Sequence, residues 1–74
     1  MQNAGALREE IIRRLKHRGL SGRHEGALYA LRYKSQDPEE RQTYRWHELV
    51  DELTLSSVRY GIDGVLEAAF IEER

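Results

Sequence analysis

The residues of this chain best suited to chemistry lie in the run His47-Glu48-Leu49-Val50-Asp51. On a helix, His47 and Asp51 share one face, the arrangement by which the metalloprotease pattern HExxH holds zinc, here with Asp in the last position. The remaining histidines, His17 and His24, supply no third ligand at a matching spacing; they flank the end of the first helix, where an imidazole serves the negative end of the dipole. The run therefore reads as a polar face opposite Leu49, Val50 and Leu53. Gly19-x-x-Gly22 and Gly61-x-x-Gly64 neither follow a strand nor precede the Lys-Ser/Thr of a phosphate-binding loop. With no cysteine among its 74 residues, the chain has no disulfide, thiolate metal site or redox pair. Nucleophilic catalysis needs a Ser or Lys beside a base in a shaped pocket, and a core this small has little volume to form one. The expectation is a protein that is not an enzyme, with no metal and no cofactor.

Binding is the remaining class, and charge is its first signal. Residues 1–36 carry eight basic side chains (Arg8, Arg13, Arg14, Lys16, Arg18, Arg23, Arg32, Lys34) against Glu9, Glu10 and Glu25. From Asp37 onward four arginines (41, 45, 59, 74) face ten carboxylates, so the net charge of -1 hides a dipolar chain. Arg13, Arg14, Lys16, Arg18 and Arg23 form the densest basic cluster and the best electrostatic candidate for a phosphate contact. The plainer reading is a solvated face, with Glu9/Arg13 and Glu10/Arg14 paired at i,i+4 and the two halves attracting each other within a monomer or across a dimer. Trp46, Tyr44, Tyr29 and Tyr33 read as core aromatics rather than as stacking platforms for bases.

Size bounds the rest. Seventeen residues are Leu, Ile, Val or Phe, enough for one small core. Such a core supplies roughly 3–5 kcal/mol net, which makes association with a second copy a natural source of further stability. No apolar run reaches the ~18 residues of a membrane span, and Met1 to Gly5 lacks the layout of a secretory signal. A cytoplasmic protein with no membrane association is expected.

The elements that must position these groups follow from periodicity. Asn3 to Leu20 is an amphipathic helix: Asn3 caps it, Leu7, Ile11 and Leu15 recur every four residues, Ile12 widens the stripe, and Gly19 ends it with Leu20 folding back onto Leu15. Ser21 to Gln36 fits two patterns. Ala27, Leu28 and Leu31 suit a helix, which is the reading adopted, whereas Tyr29, Leu31 and Tyr33 alternate as in a strand. Residues 37–42 form a polar connection opened by the cap Asp37-Pro38, and Tyr44 suits a short extended segment. Trp46, Leu49, Val50 and Leu53 mark a helix ending near Thr54. Val58, Ile62, Val65, Leu66, Ala69 and Phe70 then mark a last helix through Gly61 and Gly64, with a hairpin turning at Asp63-Gly64 as its rival.

The stretch from Trp46 to Glu73 resembles the helix-turn-helix core of winged-helix DNA-binding domains. Leu49, Val50 and Leu53 look like its first helix, Leu55-Ser56 its turn, Val58, Ile62, Val65 and Leu66 its second helix, and Ala69, Phe70 and Ile71 the step into a wing strand. The resemblance implies a mostly α fold, a three- to four-helix domain with at most a short β element, in which residues 1–20 are an added helix and residues 21–74 the core. It implies that Ser56, Ser57, Arg59 and Tyr60 meet double-stranded DNA, Arg59 as the main base reader, with the cluster Arg13 to Arg23 anchoring phosphates. It also implies a homodimer joined through Leu7, Ile11, Ile12 and Leu15. The function so implied is a small transcriptional regulator; the alternative is a protein–protein interaction module, an inhibitor, adaptor or assembly subunit, that uses its acidic C-terminal half.

Overall fold

The computed structural model describes residues 4–74, so the expected cap at Asn3 lies outside the described residues. In chain order the elements are α1 (Ala4–His17), β1 (Leu28–Tyr33), a single 3-10 turn (Pro38–Glu40), β2 (Gln42–Arg45), α2 (Trp46–Tyr60), α3 (Ile62–Ala68) and β3 (Ala69–Glu73). The three strands form an antiparallel sheet in the order β2-β1-β3. The domain is therefore α+β, which corrects the expectation of a mostly helical fold with at most a short β element.

The first helix follows its pattern. Leu7, Ile11 and Leu15 are all buried, and the C-terminus closes as a Schellman motif: Leu20 N–H donates to Leu15 C=O at 3.1 Å and Gly19 N–H to Lys16 C=O at 2.9 Å. The segment read as a helix over 21–36 holds a strand instead. Tyr29 and Leu31 are 0% and 3% exposed, both on the side that meets the helices. Helix propensity at Ala27 and Ala30 yields because β1 is the central strand, whose backbone groups pair with β2 on one side and β3 on the other. Asp37 Oδ1 accepts from Glu39 N–H at 3.1 Å and opens the 3-10 turn with Pro38 in its first position.

The second half departs most from expectation. No turn occurs at Leu55-Ser56, because α2 runs unbroken for 15 residues from Trp46 to Tyr60. Thr54 Oγ1 donates to Val50 C=O at 2.7 Å, which satisfies its hydroxyl inside the helix, and Ser57 continues the buried line of Leu49, Val50 and Leu53. The break comes at Gly61, whose φ of 86° and ψ of 142° lie outside the helical region and suit a residue without Cβ. Val58 to Phe70 is thus neither one helix nor a hairpin at Asp63-Gly64: three residues end α2, seven make α3, and Ala69 and Phe70 begin β3.

All three helices pack on one face of the sheet. Leu7, Ile11 and Leu15 of α1, Leu49, Val50 and Leu53 of α2, and Val65 and Leu66 of α3 form one cluster with Tyr29, Leu31 and Ala69. Tyr29 packs on Trp46 with ring centroids 5.5 Å apart and planes tilted by 59°, and its hydroxyl donates to Glu73 Oε1 at 3.4 Å. Among the described residues no helix is long and apolar enough to cross a membrane.

Candidate functional site

Of the α2 positions expected to meet DNA, Ser56, Arg59 and Tyr60 border one shallow groove at the C-terminal half of that helix, whereas Ser57 does not reach the surface. Ser57 is buried, and its Oγ has no hydrogen-bond partner. The Ser56 hydroxyl receives a hydrogen bond from Tyr33 at 3.2 Å and donates to Glu52 at 3.5 Å. Arg59 and Tyr60 are exposed at the C-terminal end of α2, not at the start of a separate reading helix. The α1 cluster is largely engaged inside the domain. Arg13 Nε donates to Glu10 at 2.9 Å, and this bond holds the Glu10 carboxyl below the usual glutamate range. Arg14 pairs with Asp63 at 2.6 Å, and Arg18 donates to the carbonyls of Ala69, at 3.1 Å, and Leu66. Lys16 and Arg23 are exposed.

The acidic half is distributed in the same way. Arg8 pairs with Asp51, Arg14 with Asp63, and Glu48 Oε1 accepts from Arg45 N–H at 2.9 Å at the start of α2. The two halves of the dipolar chain meet within one monomer. Leu7, Ile11 and Leu15, the expected dimer seam, are core residues of that monomer, and Ile12 packs against the same core. His47 and Asp51 are exposed on α2, and among the described residues no group of His, Cys, Asp or Glu is placed to hold a metal ion.

What the fold does assemble is the other face of the sheet. The register Leu28↔Arg45, Ala30↔Thr43, Ala30↔Glu72 and Arg32↔Phe70 puts these side chains together on the side away from the helices, because directly opposed residues share a face. Just outside two of the strands, Arg41 precedes Thr43 by period two, and Arg74, whose N–H donates to Leu28 C=O at 2.7 Å, follows Glu72. Each strand thus presents an alternating triplet: Arg41, Thr43 and Arg45 along β2; Leu28, Ala30 and Arg32 along β1; Phe70, Glu72 and Arg74 along β3.

Among the described residues no helix covers this face. Leu28 is 40% and Phe70 48% exposed, while Ala30 in the centre is 5% exposed beneath its longer neighbours. The Arg32 guanidinium carbon stands 4.5 Å from the Phe70 ring centroid, a cation–π contact that places a planar cation beside an exposed aromatic ring. Ala30, Arg32, Arg41, Phe70 and Glu72 border a shallow hollow of about 340 Å³. Arg32 and Arg45, with Arg41 and Arg74 continuing the alternation, make four arginines against the single Glu72, a cationic face on a chain that is slightly acidic overall. Three of the four, Arg41, Arg45 and Arg74, come from the half of the sequence that is acidic on average, so charge averaged along the chain hides the patch. The signal that finds it is period two, once residues 28–33 are read as a strand.

Chemically, such an arrangement can pair with anionic groups and stack on a planar ring. Guanidinium groups pair with phosphate oxygens through two parallel N–H donors, and an exposed phenyl ring stacks on a base. No known family profile, curated protein or solved structure matches the chain.

Proposed function

We propose that this chain is a cytoplasmic, non-enzymatic nucleic-acid-binding module that lays a single strand across the uncovered sheet face, with phosphates held by Arg32, Arg41, Arg45 and Arg74 and a base stacked beside Phe70. One observation supports the reading: the register puts Arg32, Arg45 and the exposed Phe70 ring on the same side of a sheet whose other side holds the core, and period two continues that side to Arg41 and Arg74 just outside β2 and β3. A single strand suits the surface better than a duplex. Its bases are open for stacking, whereas a duplex groove is read by a projecting helix or ribbon.

The test is a fluorescence-anisotropy titration with a labelled single-stranded oligonucleotide and the matching duplex. Single-strand affinity should fall with salt by about 0.7 log unit per log unit of salt for each phosphate contact. The triple variant Arg32→Ala/Arg41→Ala/Arg45→Ala should flatten that dependence and lose most of the affinity. Absence of binding by the folded protein at low salt, or unchanged binding by the triple variant, overturns the proposal.

A further inference from the structure

Leu55, Val58 and Tyr60 are 67%, 68% and 74% exposed, three large apolar side chains within six residues at the C-terminal half of α2. Leu55 and Val58 stand apart from the sheet face and from the core stripe of Leu49, Val50 and Leu53, whereas Tyr60, seven residues after Leu53, lies at the exposed end of that stripe. Between them Glu52, Leu55, Ser56 and Arg59 border a shallow groove of about 360 Å³. These four positions are i, i+3, i+4 and i+7 of one helix, the diamond that forms the hole of knobs-into-holes packing.

The diamond is complementary to itself. Its acidic corner Glu52 and its basic corner Arg59 lie seven residues, about 10.5 Å, apart along the axis, with Leu55 near the midpoint. When a second copy is turned over by a two-fold axis through that midpoint, Leu55 of each helix faces the hole of the other. Glu52 of each then stands opposite Arg59 of the other, so that two ion pairs flank one leucine pair. A register shifted by one helical turn would lose both ion pairs. The same two-fold brings Val58 beside the opposing Leu55, extending the apolar seam, and Gly61 ends α2 just beyond it.

We infer that the outward face of α2 is a homodimer surface, occupied by α2 of a second copy running antiparallel, with Leu55 as knob and the reciprocal Glu52–Arg59 pairs as its register. The seam is distinct from the stripe of α1, which the monomer already buries, and does not depend on the nucleic-acid reading.

The test is solution mass by analytical ultracentrifugation over a concentration series up to about 1 mM. The wild-type chain should dimerise, and Leu55→Asp should remain monomeric with an unchanged circular-dichroism spectrum. Glu52→Arg and Arg59→Glu alone place like charges opposite one another and should each weaken self-association by roughly tenfold or more. Mixed in equal amounts, these two variants should pair with each other, since one helix then carries two cations where the other carries two anions. A wild-type chain that stays monomeric throughout the series, a folded Leu55→Asp that still dimerises, or a mixture no more associated than its components overturns the inference.

Discussion

Gly22 packs its Cα directly against the indole of Trp46: a Cβ at position 22 would stand 2.6 Å from Trp46 Cγ. Gly22 also has a φ of 66°, in the left-handed region that disfavours other residues. The contact ties the loop after α1 to the first residue of α2, whose ring in turn packs on Tyr29. Gly22→Ala should therefore destabilise the fold by about 1–3 kcal/mol, through overpacking and backbone strain together. Chemical denaturation with tryptophan fluorescence as the probe measures this, and a change of a few tenths would mean that the indole moves aside freely.

Ser57 gives a prediction of opposite sign. Its buried Oγ is without a partner in the middle of the α2 core stripe, and Ala is both a better helix former and free of that desolvated hydroxyl. Ser57→Ala should raise stability by about 1 kcal/mol, a rise in Tm of roughly 4–8 °C for a domain this small. A lower Tm would show that the hydroxyl has a partner, such as an ordered water.

The contrast between these two residues shows what the sequence reveals. Leu7, Ile11 and Leu15 announce α1 because a helix with one buried side writes its own period, and Gly19-Leu20 announces its end by local chemistry. Residues 28–33 are undecided locally: Leu28 and Leu31 are three apart, while Tyr29, Leu31 and Tyr33 are two apart. What decides is pairing with residues 42–45 and 69–73, which no short window contains. The same distance hid the candidate site, since its arginines come from three strands. The turn expected at Leu55-Ser56 is absent because the helix absorbs the flanking Thr54 by a side-chain bond to Val50 and Ser57 by burial.

Burial raises the phenol pKa of Tyr29, and the nearby Glu73 carboxylate adds to the effect; Tyr33 and Tyr44 are also raised, mainly by burial. A phenol whose folded pKa lies above its unfolded value stabilises the fold fully below the unfolded value. That contribution is lost as pH rises through the folded one. Stability should thus decline above pH of about 10. Phenolate absorbance should show Tyr29→Phe removing a late-titrating step and Glu73→Gln moving that step to lower pH. An unmoved step in Glu73→Gln would remove Glu73 as a contributor.

Leu53 is fully buried at the centre of α2, within the cluster shared by all three helices and the sheet. Truncating such a leucine costs about 2–5 kcal/mol, comparable with the whole net stability of a domain of this size. Leu53→Ala should abolish cooperative thermal unfolding near room temperature, as seen by circular dichroism. A sharp transition within a few degrees of the wild type would mean that the core has stability in reserve from another source, for which the α2 dimer surface is the first candidate.

The two basic regions make separable predictions for nucleic-acid binding. On α1 and the loop that follows, Lys16 and Arg23 are exposed, whereas Arg13, Arg14 and Arg18 are held by Glu10, Asp63 and the carbonyls of Leu66 and Ala69. On the open sheet face, Arg45 ends β2 opposite Leu28, and Arg41, just before β2, borders the hollow at Phe70. Arg41→Glu/Arg45→Glu should lower single-strand affinity at least tenfold and reduce the salt slope by about 1.4, two contacts at roughly 0.7 each. Phe70→Ala should weaken binding by about 1–3 kcal/mol with the slope unchanged, because stacking releases no counterions. Lys16→Glu/Arg23→Glu should change affinity only about twofold, through long-range repulsion that salt screens. Should the last pair prove the more damaging, the contact belongs to the α1 side and the sheet face is a solvated surface.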